Sequence, residues 1–187
     1  YLDAVLGGQE LWGGVIPKIG RKFIQVVSIE GFPLESYPGI LSQLAELPVE
    51  YRWNSRFIFM DPHEAVAHLE KFRKKWRQKV RGFFDQVFNT NNGHIDQDAV
   101  AMVADAQAAI ADVNSGMTSP GYYTSVVVLI DENRQKLEAS AQQIEKALNS
   151  LGFAARIETI NTMDAYLGSL PGHGVENVRR PIINALN

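Results

Sequence analysis

From residue 22 the apolar positions Phe23, Ile24, Val26, Val27 and Ile29 form a β-branched and aromatic run, which predicts a strand over 22–29 ended by Gly31 and Pro33. Ser36 offers an N-cap oxygen, and Tyr37, Ile40, Leu41, Leu44 and Leu47 then fall on one face at helical spacing before Pro48. This predicts a short helix packed back on the strand. Val49, Tyr51 and Trp53, followed by Phe57 and Phe59, lie on one alternation while Arg52 and Arg56 lie on the other, the period of a half-buried strand over 49–59. The first unit is β-α-β.

At Asp61-Pro62-His63-Glu64 the pattern turns helical: Asp61 can cap, Pro62 has the φ that a first helical residue needs, and Glu64 sits where a capping box requires it. The apolar stripe then runs through Leu69, Phe72, Trp76, Val80, Phe83, Phe84 and Val87, and the polar stretch 89–94 breaks it. Asp96 restarts a helix whose buried face includes Val100, Val103, Ala106, Ile110 and Val113 and which ends near Gly116. Residues 61–116 are thus expected to be a two-helix insertion.

The segment 122–130 is apolar on both alternations, as a central strand covered on both faces should be. Over 133–151 the residues Leu137, Ala141, Ile144, Leu148 and Leu151 repeat at helical spacing, Glu132 and Lys136 are placed to pair, and Gly152 supplies the residue after the helix. Residues 153–160 return as a strand. The expected fold class is α+β: two β-α-β units forming a split ferredoxin-like sheet with an inserted two-helix arm. A single domain over 1–187 is expected, with 1–21, rich in glycine, as an irregular lead-in and 168–187 as a linker.

Composition narrows the function more by exclusion than by direction. With no cysteine among 187 residues there is neither a disulfide framework nor a thiolate metal site. A formal charge of −3 gives no global reason to coat nucleic acid or membrane, and no apolar run approaches a transmembrane length. The chain opens on Tyr1 rather than Met and stops at Leu186-Asn187 without a helix stop signal, so a fragment of a longer protein is expected.

No G-x-x-x-x-G-K-[ST] pattern occurs, and the glycine-rich segment 7–20 precedes a strand instead of following one, so no phosphate cradle is expected. His63 and His68 are separated by one residue too many for a zinc-protease helix, which leaves their imidazoles well apart around the helix. His94 and His173 stand in loops without a neighbouring serine or carboxylate pair at a recognisable spacing. No catalytic, cofactor-binding or metal-ligating set is assigned.

One charge feature departs from the acidic average: seven of the eleven residues in 71–81 are basic, among them Arg73, Lys74, Arg77 and Lys79. They are candidates for contact with an acidic protein surface or with phosphates, the latter making the chain a nucleic-acid-binding module. The plainer reading, a solvated face above a Phe72-Trp76-Val80 core stripe, is favoured by the i,i+4 spacing of the two aromatics.

Four strings, Val26-Val27-Ser28-Ile29-Glu30-Gly31-Phe32-Pro33, Leu47-Pro48-Val49-Glu50-Tyr51-Arg52-Trp53, Gly121-Tyr122-Tyr123-Thr124-Ser125-Val126-Val127-Val128-Leu129 and above all Leu167-Gly168-Ser169-Leu170-Pro171-Gly172-His173-Gly174 with Asn177-Val178-Arg179-Arg180-Pro181, carry a resemblance. The chain resembles, over nearly its whole length, the region upstream of the ATPase domain in the TrbE/CagE/VirB family of conjugation and type IV secretion ATPases. That resemblance implies a non-catalytic docking and assembly domain of a motor that powers channel or pilus assembly and DNA transfer. ATP and magnesium would belong to the downstream domain. The implied partners are the protein's own ATPase domain, sister subunits and other secretion components, at the cytoplasmic face of the inner membrane. Pro171, Gly172 and His173, in the stretch that leads toward the ATPase domain, are further candidates for an interaction or hinge role.

Overall fold

The computed structural model describes residues 4, 7–33, 35–89, 97–176 and 181–184, with backbone alone at 76, 78–89 and 97–100. It has mixed α and β architecture and divides into two compact units, Tyr1–Phe57 with Tyr123–Pro181, and Ile58–Tyr122 with Ile182–Asn187. The strands are β1 (Leu11–Trp12), β2 (Lys18–Ile19), β3 (Lys22–Gly31), β4 (Arg52–Phe59), β5 (Pro120–Asp131), β6 (Ala154–Ile157) and β7 (Ile182–Asn184). The helices are α1 (Pro62–Asn89), α2 (Gln97–Asn114), α3 (Arg134–Ser150) and α4 (Thr162–Gly168), with a 3-10 helix at Ile40–Glu46. Strand order runs β1-β2-β3-β5-β4, with β6 on β3 and β7 on β5.

In the first unit β3 is the central strand. It pairs antiparallel with β5 from Phe23↔Asp131 to Ser28↔Val126, and antiparallel with β6 from Val27↔Ile157 to Gly31↔Ala154. Because both alternations of β3 and β5 are apolar, both faces are covered. One face sets Val27, Ile29, Val127 and Leu129 against Leu44 of the 3-10 helix and Leu137, Ala141, Ile144 and Leu148 of α3. The other sets Ile24, Val26, Val126 and Val128 against Ala165 and Tyr166 of α4. The expected 22–29 and 122–130 strands and the 133–151 helix are therefore present, each within two residues of its expected bounds.

Local chemistry explains where the remaining bounds differ. The segment after Ser36 forms a 3-10 helix beginning beyond Gly39, which has φ 85°, and Tyr37 is 59% exposed instead of facing the core. Pro38 disfavours a helical Tyr37, and a left-handed glycine then resets the chain. Strand β4 begins at Arg52, although Val49 and Tyr51 still pack on the α3 face. Phe59, expected inside, is 67% exposed, because β4 leaves the first unit after Phe57. Strand β6 stops at Ile157, and Thr162 Oγ1 donates to Thr159 O at 2.8 Å in the turn that opens α4.

The start of α3 is set by two side chains. Asn133 Oδ1 accepts from Lys136 N at 3.0 Å, and Asp131 accepts from Asn133 N at 2.8 Å and pairs with Lys136 Nζ at 2.9 Å. The cation of Lys136 thus meets Asp131 and not Glu132, which precedes the cap and lies off the helical i,i+4 geometry. The Asn133 amide and then the Lys136 ammonium hold the Asp131 carboxyl below its ordinary pKa, while Asp131 raises that of Lys136. A depressed carboxylate contributes stability above its unfolded pKa and loses it as pH falls through the folded one. The Asp131 contribution is therefore expected to be complete at neutral pH and to disappear as pH drops below about 4. Urea midpoints of the chain and of Asp131→Asn, measured across that range, should differ at pH 7 and converge in acid. A difference that does not change with pH would exclude the carboxylate as its source.

In the second unit Asp61 Oδ1 accepts from His63 N at 2.9 Å, so α1 starts where its sequence signal lies. Glu64 Oε1 accepts from the Tyr122 hydroxyl at 3.2 Å. The core holds Met60, Ala65 and Val113, with Val66, Leu69 and Tyr122 packed around them, and Ala106 is also buried on α2. Three residues of β7 pair with Pro120, Gly121 and Tyr122 of β5. Phe72, expected in the core stripe, is 58% exposed. The stripe residues 76, 80, 83, 84 and 87, the break at 90–94, Asp96 and the side chain of Val100 lie outside the described residues.

Candidate functional site

Strand alternation sends Tyr51 and Trp53 to the α3 face and Arg52 and Arg56 to the face that carries Tyr166. There the two arginines grip the segment after α4. Arg52 Nη2 donates to Ser169 Oγ at 2.6 Å, and its guanidinium lies 5.9 Å from the centre of the Tyr166 ring. Ser169 Oγ in turn donates to Tyr166 O at 2.6 Å. Arg56 spans the loop beyond: Nη1 donates to His173 O at 2.6 Å and Nη2 to Glu176 O. A planar fork with parallel N–H groups suits two backbone carbonyls, which a lysine ammonium cannot reach together.

The loop is shaped from within as well. Gly172 has φ 78°, the left-handed region that glycine enters without strain, and His173 N donates to Leu170 O at 3.2 Å. His173 Nε2 contacts the Glu176 carboxylate. A Cβ at Gly168 would lie 2.6 Å from Glu176 O, so glycine is required there for the chain to close on itself. Pro171 and Gly172 are exposed at the turn and His173 is half-buried. The structure thus brings these three sequence candidates together in one fixed loop.

The basic candidates lie on α1. Arg73 pairs with Glu70 at 2.8 Å, and Lys74 and Arg77 are exposed. Lys79 lies where backbone alone is described. Arg52 and Arg56, which hold the loop, stood in the sequence only as the polar alternation of a strand. Their i,i+4 spacing on one face was the available signal.

His68 Nε2 lies 3.3 Å from the Tyr122 hydroxyl and 3.9 Å from Glu64 Oε1. Among the described residues no three histidine, aspartate or glutamate side chains are placed to hold a metal ion. No helix among them is long and apolar enough to cross a membrane.

Residues 2–179 match the model of the CagE, TrbE, VirB family, described as a component of type IV transporter system. The whole chain is 49% identical to 28% of a probable conjugal transfer protein TrbE of Sinorhizobium fredii (strain NBRC 101917 / NGR234). It is 48% identical, again over its full length, to 23% of the conjugal transfer protein TrbE of Rhizobium radiobacter. The chain thus spans about a quarter of the length of these relatives. On the extent of these matches, the chain belongs to the CagE, TrbE, VirB family of type IV transporter components.

Proposed function

We propose that the chain is the non-catalytic N-terminal docking and assembly domain of a TrbE-like ATPase, whose motor powers channel or pilus assembly and DNA transfer. The observation that carries this reading is the hold of Arg52 and Arg56 on residues 169–176. By resemblance, that segment leads toward the ATPase domain. Fixed to the sheet by charge-assisted bonds to its own backbone, it would pass a displacement of the downstream domain into the first unit without slack. In this scheme residues 1–21 are the lead-in, 61–116 the helical insertion and 168–187 the connection to the motor, where ATP and magnesium bind.

The fold reading that accompanies it is a split ferredoxin-like sheet. Its support is the order β6-β3-β5-β4, the antiparallel registers of β3 with β5 and β6, and the packing of the 3-10 helix and α3 on one face. Docking would take place with the downstream domain, with sister subunits and with other secretion components at the cytoplasmic face of the inner membrane. The test is surface plasmon resonance with the chain immobilised, and with the separately purified downstream region and purified components of the cognate system as analytes. Saturable binding of at least one analyte is expected, and binding of none removes the proposal.

A further inference from the structure

The second unit holds an apolar pocket of about 230 Å3 whose walls include Met60, Leu69, Phe72, Pro120 and Ile182, with His68 beside them. Phe72 is 58% exposed and Ile182 37% exposed, so the pocket is open to a partner at these two side chains. Its volume is below the roughly 300–1,000 Å3 of small-molecule sites and is of the size that takes one large anchoring side chain.

The surroundings of the pocket are cationic. At about 100° per residue Ala65, Leu69 and Phe72 share one stripe of α1, Lys71 and Lys75 fall on one side of it, and Arg73 and Arg77 fall on the other. Lys71, Lys74, Lys75 and Arg77 are exposed, and none has an ion pair among the described residues. Only Arg73 is matched locally, by Glu70. This cluster stands in a chain of formal charge −3, so it is not a sample of the average surface.

We propose that this face receives an acidic segment of a partner protein, one aromatic or long aliphatic side chain entering the pocket against Phe72 while carboxylates meet Lys71, Lys75 and Arg77. The proposal rests on the docking reading above and names the chemistry of one partner. An apolar socket bordered by cations matches the anchor-and-rim pattern of peptide grooves. A phosphate backbone would use the cations and leave the socket empty.

The test uses the 187-residue chain and two fluorescein-labelled synthetic peptides, one of Glu and Ala around a single Phe and one with that Phe replaced by Ala. The Phe peptide is expected to bind at least about tenfold more tightly, in keeping with burial of one aromatic side chain. Phe72→Ser and, on another wall, Ile182→Ser are each expected to remove that preference. The pair Lys71→Glu with Lys75→Glu should weaken both peptides. Equal binding of the two peptides, binding of neither, or tighter binding of a single-stranded DNA oligonucleotide that displaces the Phe peptide would each overturn the proposal. Purified secretion components that bind Phe72→Ser as well as the parent chain would overturn this surface and leave docking intact. If none binds either protein, both readings fall.

Discussion

Replacing Ile144 with alanine is expected to destabilise the first unit by about 3 kcal/mol, the usual loss when a large buried aliphatic side chain is truncated. Ile144 is 0% exposed and lies in the cluster that joins α3 to Val27, Val127 and Leu129 of the two central strands. Its removal forfeits both the transfer of its methyl groups from water and the contacts of the atoms left around the void. Ile144→Val keeps most of the volume and should cost about 1 kcal/mol. Urea denaturation followed by circular dichroism would measure both, with amide exchange at Val127 and Leu129 confirming that the loss is felt in the sheet. A loss below about 1 kcal/mol for the alanine variant would mean that α3 closes over the gap, contrary to tight packing of the helix on the sheet.

Arg56→Ala is expected to release the loop after α4. Hydrogen bonds from a charged donor contribute about 1.5–3 kcal/mol each, and partial exposure discounts the pair, so we expect about 3 kcal/mol in local stability. The reporter is the His173 amide, which donates to Leu170 O within the loop. Its exchange should accelerate by about two orders of magnitude while the β3 amides exchange as before. Arg56→Lys should restore little, since one ammonium cannot span the carbonyls of His173 and Glu176. Gly168→Ala should disturb the same contact from the other side, because its Cβ meets the Glu176 carbonyl that Arg56 holds. The double variant is therefore expected to lose less than the sum of the single losses. Additive losses, or an unchanged His173 amide in Arg56→Ala, would show that the loop is shaped by its own turn and not by the strand.

The elements legible in the sequence are those with a long period and clear punctuation. Leu137, Ala141, Ile144 and Leu148 repeat over four turns between Asn133 and Gly152, and both ends of α3 fall at those residues. The apolar runs of β3 and β5 are equally plain because both faces of each strand are covered. Helix α4 and strand β7 are not legible, since seven and three residues are too short to establish a period. Phe72 departs from its expected burial because a helical stripe reveals which side is apolar but not where its cover ends. At the candidate site, Pro171, Gly172 and His173 stand out through an unusual string. Their clamp does not, because it joins residues more than a hundred positions apart and bonds to backbone carbonyls, which no side-chain pattern encodes.

Strand β4 closes one end of the strand order, and beyond it no further strand pairs among the described residues. An unmatched row of amides and carbonyls is a template on which another copy can add, and proteins blunt such rows with charge. Arg52 and Arg56 place two cations on this strand, so the side chains that fasten the loop also discourage strand addition and fibrillar growth. In a machine that gathers many identical subunits at one site, where local concentration favours such growth, that second role would protect solubility before assembly begins.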